Sequence, residues 1–245
     1  MFTKEYSIRY FETNKFGEAS PTTILTLLEE TASDHCLSIN HGLFELFQQQ
    51  IGWVLVSGVI EMYRYPKHKE NIRIQTWLST YTLVKGIREN LIFDVNNQII
   101  GRAKGLWVFF DIEKRRPVEI FDDIIQKWSF DKKESIIHNI IRKISPLQEA
   151  PIIKQFPIHR YDIDMNMHVN NIKYLQWLLE TIPNEIMDNF YLHHIDGRFI
   201  NEAHFGDSIV SLTKPVNDIN EFHHTVLVKE TGKICATATS VWKER

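Results

Sequence analysis

The sequence predicts an α+β protein built from two copies of one unit, each a strand, a loop, a long helix and then several strands. Three observations carry this. The order of elements occurs twice along 245 residues, a length that suits two domains of ordinary size. The strands of the copies align without gaps: Trp107 falls on Trp242, Ile74 on Ile209 and Asn97 of one turn on Gly232 of another, all 135 residues on. The helices align too, Glu30-Thr31 falling on Glu180-Thr181, 150 residues on. Matching order, turns and helix ends together indicate duplication.

In the first copy, residues 4–12 alternate like a strand. Ser20-Pro21 supplies an N-cap followed by proline at the first helical position. A helix is expected over Thr22–Ile39, with Ile24, Leu27, Leu28, Thr31 and Ala32 on one face. Residues 40–52 read as a connection, and strands are expected from Trp53, Asn71, Ile87 and Gln98. Helix-spaced apolar residues recur over Ile120–Ser129 and Glu134–Ile144, and SPLQEAP, residues 145–151, reads as a linker. The division expected is a first unit over 1–130, a linker over 131–150 and a second unit over 151–245. In the second copy, a strand is expected over Ile152–Arg160, then a helix, then the strand-like runs HHIDGRFINEA, DSIVSLTKPV, HHTVLVKE and KICATATSVWKE.

The stretch from Arg160 to Pro183, RYDIDMNMHVNNIKYLQWLLETIP, concentrates the chemistry. Ile172, Leu175, Leu178, Leu179 and Ile182 have helical spacing, and Asn170-Asn171 sit where the helix should be capped. Just before the cap come Asp164, Asn166 and His168, two residues apart. In an extended segment that spacing points all three to one side. An acid, an amide and an imidazole would then meet the free N–H groups of a helix start, which suit a developing oxyanion. On the helix offset these residues fall on Asn14, Phe16 and Glu18, so the first copy lacks the trio. A cap needed for structure alone would be expected in both copies.

Composition narrows the classes. Hydrophobic residues make up 43% and charged residues 24%, enough for a buried core, and the formal net charge of −3 gives no global sign of a nucleic-acid binder. No apolar run approaches the roughly 20 residues of a membrane span. The opening residues, MFTKEYSIRYFE, read as neither signal nor transit peptide, and Cys36 and Cys235 have no metal-ligand spacing, so a reducing, cytoplasmic setting is expected. His193-His194 and His223-His224 are adjacent pairs that a strand would turn to opposite faces. No metal is expected. Lys67-His68-Lys69 and Lys114-Arg115-Arg116 read as solvated turns that would also suit an acidic partner.

The stretch at 160–183 closely resembles the DxDxNxHVNNxKYxxWxLExxP signature of the fatty acyl-[acyl-carrier-protein] thioesterases, a family of plant plastids and bacteria. TILTLLEETASDH, WVLVSGVIEMYRYPKHKENIRIQTW and RAKGLWVFFDIEKRRP resemble its first-half helix and strands, so the likeness runs almost end to end. The resemblance implies a tandem double hot-dog, each half an antiparallel sheet wrapped around a central helix. It implies hydrolysis of acyl-carrier thioesters to free fatty acid and carrier protein, with no cofactor. By position it implies catalytic roles for Asp164, Asn166, His168 and Glu202. In GRFINEAHFGD, Ala203 stands where plant members have cysteine and the segment looks slightly lengthened, which leaves a carboxylate mechanism and removes a thiol one. Glu202 or Asp164 would activate water or attack directly, and the sequence does not choose between them. The first half, through Ile24, Leu27, Leu28 and Thr31, would hold the acyl chain. The partner implied is acyl carrier protein, with a homodimer left open. An acyl-coenzyme A thioesterase, a 3-hydroxyacyl-thioester dehydratase and a non-catalytic acyl-binding module are the alternatives.

Overall fold

The computed structural model describes residues 1–128, 130–165, 167–217 and 220–245. The side chain of Asn217, Ser129 at the end of the expected helix over 120–129, and Asn166 of the expected catalytic trio lie outside that description. Two compact units follow one another, Met1–Ile140 and Ile141–Arg245.

The first unit opens with β1 (Phe2–Ser7), a 3-10 turn at Tyr10–Glu12, α1 (Pro21–Leu37) and α2 (Leu43–Gln48). It continues with β2 (Ile51–Met62), β3 (Asn71–Tyr81), β4 (Lys85–Phe93), β5 (Ile99–Asp111), the short β6 (Arg116–Pro117) and α3 (Asp122–Lys127). The strands run antiparallel in the order β1-β3-β4-β5-β2, with β6 on β5. The second unit holds β7 (Ile152–Pro157), a 3-10 turn at Arg160–Asp162, α4 (Asn171–Leu179), α5 (Asn184–Asn189), β8 (Phe190–Phe199), β9 (Ser208–Asn217), β10 (Glu221–Val228) and β11 (Ile234–Glu244). Its antiparallel order, β7-β9-β10-β11-β8, repeats the first element for element. Each unit is thus a sheet around one central helix, and the chain is a double hot-dog.

Local chemistry sets the helices where the sequence places them. The Ser20 hydroxyl accepts the Thr23 N–H at 3.1 Å, and Pro21 begins α1 without an orphan donor. Asn170 caps α4 in the same way, its side-chain oxygen taking the Ile172 N–H at 2.9 Å. α1 packs on β1 and β3, and α4 on β9 and β10. The apolar faces are the expected ones: Ile24, Leu27, Leu28 and Thr31 in the first unit, Leu175 and Leu178 in the second, are all buried.

Several expectations are corrected. The strand over residues 4–12 ends at Ser7, because the chain must turn through Tyr10–Glu12 to reach the α1 cap. The connection over 40–52 contains α2, and α5 was not foreseen. Both are single short helices after the long one. No helix forms over Glu134–Ile144. Ile136 and Ile140 are buried there while Ile137 and Ile141 face solvent, and the Ser135 N–H is held at 2.9 Å by the buried carboxylate of Glu89. That side-chain anchor replaces the helical hydrogen bonds the spacing suggested. Residues 131–140 pack with the first unit, and Leu147 is tied to the second by its N–H on the Thr225 hydroxyl at 2.8 Å.

The second unit carries a buried polar chain across its sheet. The Thr181 hydroxyl donates to the Leu178 carbonyl and meets Thr213; Thr213 meets His224 Nδ1 at 2.8 Å; His224 Nε2 meets Ser240 at 2.8 Å; and the Trp242 indole donates to Ser240 at 3.1 Å. Burial, with His223 adjoining, holds His224 down at about 3. The folded protein therefore refuses a proton that the unfolded chain takes up below its ordinary value near 6.5. Stability should fall as the pH drops from about 6.5 toward 3. His224→Gln, which retains a donor and an acceptor, should flatten that acid slope by up to about 1.4 kcal/mol per pH unit. Urea midpoints measured across the pH range would check this, and an unchanged slope would count against it.

Candidate active site

The site is assembled from two connections of the second unit: the loop from the 3-10 turn into α4, and the loop from β8 to β9. The first is a tight hairpin rather than the extended segment the residue spacing suggested. Ile163 bridges Val169, the Asp164 N–H donates to the His168 carbonyl at 2.9 Å, and the Met167 N–H returns to the Asp164 carbonyl at 3.1 Å. The equivalent loop in the first unit closes identically, with Thr13 bridging Ala19 and the Asn14 N–H on Glu18 at 2.7 Å. Its tip is Gly17, at φ 71°, while the second unit sets Met167 there at φ 63°. A left-handed residue with a side chain costs roughly 1–2 kcal/mol more than glycine. The second unit thus carries backbone strain beside His168, where functional sites commonly store it.

The second connection is docked onto the first. The Val169 N–H donates to the Ala203 carbonyl at 3.1 Å, and the Ala203 N–H donates to the Tyr174 phenol of α4 at 3.0 Å. Tyr174 is buried, which pushes its phenol well above the usual range and keeps it neutral. These bonds bring Glu202 to His168, with Glu202 Oε2 and His168 Nε2 3.3 Å apart. Both side chains are only partly covered, 30% and 18% exposed, so the pair is shaped by the fold yet open to a substrate. The Lys233 ammonium donates to the Glu202 carbonyl at 3.1 Å and steadies the strand end. In the first unit the matching bond runs from the Ala19 N–H to Pro66, 137 residues before Ala203. The connections before β3 and β9 have the same length, residues 63–70 and 200–207, and the offset of 137 continues into β9, where Ile209 stands opposite Phe156 as Ile72 stands opposite Tyr6; Tyr65 therefore occupies the place of Glu202.

Among the expected site residues, His168 and Glu202 are brought together by their side chains, and Asp164 joins His168 through the backbone. The helix-terminus role is narrower than expected. The Ile172 N–H is spent on the Asn170 cap and the Lys173 N–H reaches the Asn170 carbonyl at 2.9 Å. Ile24, Leu27, Leu28 and Thr31 lie in the first unit, where the Thr31 hydroxyl bonds the Leu27 carbonyl at 2.7 Å and the Tyr6 phenol at 2.8 Å. Two neighbours were not singled out from the sequence. Tyr174 sits within the helix signature, and its phenol had no visible partner until Ala203 folded onto it. His204 packs its ring edge-on against His168 at a centroid distance of 5.1 Å.

Thiol chemistry is poorly served here. Burial pushes the Cys235 thiol up to about 11 and raises Cys36 as well, so neither supplies thiolate near neutrality. Cys36→Ser with Cys235→Ser should retain turnover; a folded double variant without activity would restore a thiol mechanism.

Comparison with known proteins agrees with this architecture. The acyl-ACP thioesterase N-terminal domain family matches residues 1–128 and the C-terminal domain family residues 145–244. An oleoyl-acyl carrier protein thioesterase of Coriandrum sativum is 28% identical over 236 residues, covering 89% of this chain. One from Arabidopsis thaliana is 25% identical over 276 residues, covering all of it. The chain spans 63% of the Coriandrum relative and 76% of the Arabidopsis one. Two solved structures share the fold: an acyl-ACP thioesterase from Bacteroides thetaiotaomicron (TM-score 0.88, 22% identity, 98% of this chain and 97% of that one) and a 12:0-ACP thioesterase from Umbellularia californica (TM-score 0.88, 21% identity, 100% and 97%). No helix among the described residues is long and apolar enough to cross a membrane. With both domain families accounting for nearly its whole length, the chain belongs to the acyl-ACP thioesterase family.

Proposed function

We propose that this protein hydrolyses the thioester of fatty acyl-[acyl-carrier-protein], releasing free fatty acid and carrier protein and so ending acyl chain growth. The observation that carries the proposal is the His168–Glu202 pair at 3.3 Å, built in one unit of a duplicated fold and absent from the other. A thioester carbonyl is electrophilic and thiolate leaves readily, so a positioned base suffices. Glu202 takes a proton from water as its oxygen attacks the carbonyl carbon. The tetrahedral intermediate collapses with loss of the carrier thiolate, and the proton passes to that sulfur through His168. Asp164, at the base of the same loop, holds the loop that presents His168, and Asn166 is assigned to the carbonyl.

The first unit is assigned the acyl chain and the carrier. An acyl chain requires an apolar lining, and each buried methylene contributes roughly 0.8 kcal/mol. The α1 face of Ile24, Leu27, Leu28 and Thr31 supplies apolar surface of that kind. Leu27→Trp should lower kcat/KM for long chains relative to short ones while the shortest substrates are still cleaved; an unchanged ratio would place the pocket elsewhere. Lys67, Lys69, Lys114, Arg115 and Arg116 are exposed on this unit and suit the acidic surface of a carrier protein. The deciding assay follows free thiol from acyl-carrier substrate. Thiol release with fatty acid supports hydrolysis, loss of water from a 3-hydroxyacyl substrate with the thioester intact would show a dehydratase, and binding without release would show a carrier module.

A further inference from the structure

His204 gives the site a chemistry that its sequence position hides. One nitrogen of His168, one nitrogen of His204 and one oxygen of Glu202 all lie within 4.8 Å of one another. Two imidazoles and a carboxylate are the donor set of borderline cations such as zinc and cobalt, rather than of magnesium or calcium. Around a tetrahedral zinc with bonds near 2.0–2.2 Å, ligand atoms stand roughly 3.3 Å apart. The His168–Glu202 separation of 3.3 Å already has that value. Only His204 has to close in, and it is the exposed member, so its ring has room to swing. Its backbone is fixed in place: the His204 N–H donates to the Asp207 carboxylate at 2.9 Å, and the Asp207 N–H returns to the His204 carbonyl at 3.1 Å. The Arg160 guanidinium lies over the neighbouring Phe205 ring at 5.1 Å and further anchors this loop.

We propose that His168, Glu202 and His204 bind one zinc-class divalent cation, and that its occupation withdraws His168 and Glu202 from hydrolysis, making the cation a reversible inhibitor. The binding half stands on the donor geometry alone; the inhibitory half rests on the thioesterase reading above. Cobalt(II) is the probe for the first. Titrated into the metal-free full chain, it should saturate at one equivalent with the visible absorption of a tetrahedral centre, and zinc should displace it. His204→Ala should weaken binding by more than the roughly 10–100-fold that loss of an outer-shell partner costs. In the thioester assay zinc should stop turnover of the unaltered protein. His204→Ala should hydrolyse normally without metal and require correspondingly more zinc for inhibition. Absence of saturable cobalt binding below millimolar concentration, or unchanged affinity in His204→Ala, would overturn the site. Tight cobalt binding with turnover unaffected by zinc would leave the site standing and overturn its link to catalysis.

Discussion

Glu202→Ala and His168→Ala should each lower kcat on acyl-carrier thioesters by ~10²–10⁴-fold, the usual contribution of a positioned acid or base, while the protein remains folded. Both side chains are partly exposed, and neither anchors the core. Glu202 holds its neighbours through backbone groups, the carbonyl taking Lys233 and the adjoining Ala203 N–H reaching Tyr174, and these survive truncation to alanine. The double variant should be little worse than either single, because residues acting as one unit are strongly non-additive. Asp164→Ala should fall in the same range if its carboxylate enters the chemistry, and should cost much less if the aspartate only shapes the loop, since its N–H on the His168 carbonyl persists. Single-turnover rates on one acyl substrate, with far-UV spectra to establish folding, would separate these outcomes. A Glu202→Ala variant with near-normal turnover would remove the second carboxylate from the mechanism.

What the sequence disclosed, and what it withheld, follows from the range of the interactions. Caps and apolar spacing are local, so α1 and α4 could be read from Ser20-Pro21, from Asn170 and from the leucine pattern. The repeat was legible because paired strands preserve their register over long stretches, as Asn97 and Gly232 show by both adopting left-handed backbone at matching turns. His168 and Glu202 came from a motif that fixes residue types, although no local rule joins positions so far apart. The loop around His168 departs from the extended form that its alternating residues suggest, because the Asp164 N–H on the His168 carbonyl closes it into a hairpin. Gly17 in the other copy was the available clue, a glycine opposite Met167 marking a turn that needs positive φ. His204 and Tyr174 were illegible for a different reason: their partners lie on another connection, and only the docking of Ala203 brings them into place.

The expected helix over Glu134–Ile144 failed for the same non-local reason, and it leads to the largest stability effect. Glu89 of β4 has no exposed side-chain surface. Its carboxylate accepts from the Ser79 hydroxyl at 3.0 Å and the Ser135 N–H at 2.9 Å, and faces the Lys104 ammonium of β5 at 3.5 Å. Lys104, itself buried, also meets Glu134 at 3.2 Å and the Ile136 carbonyl at 3.4 Å. This buried charge pair staples residues 134–136 onto the sheet and seats Ile136 and Ile140 against Val59 and Leu106. Glu89→Ala would strand the Lys104 charge with only the half-exposed Glu134, and breaking a buried pair from one side costs about 3–5 kcal/mol. We expect that loss in the first unit's unfolding transition, followed by tryptophan fluorescence in urea, with residues 131–140 becoming the first site of proteolysis. Glu89→Gln should cost less, since an amide oxygen still accepts from Ser79 or Ser135. Adding Lys104→Met to Glu89→Ala should recover part of the loss, because it removes the unpaired charge and leaves an apolar side chain of similar length. A Glu89→Ala variant within about 1 kcal/mol of the parent, the size of an ordinary surface change at most, would mean that the staple contributes little and that apolar packing alone holds the segment.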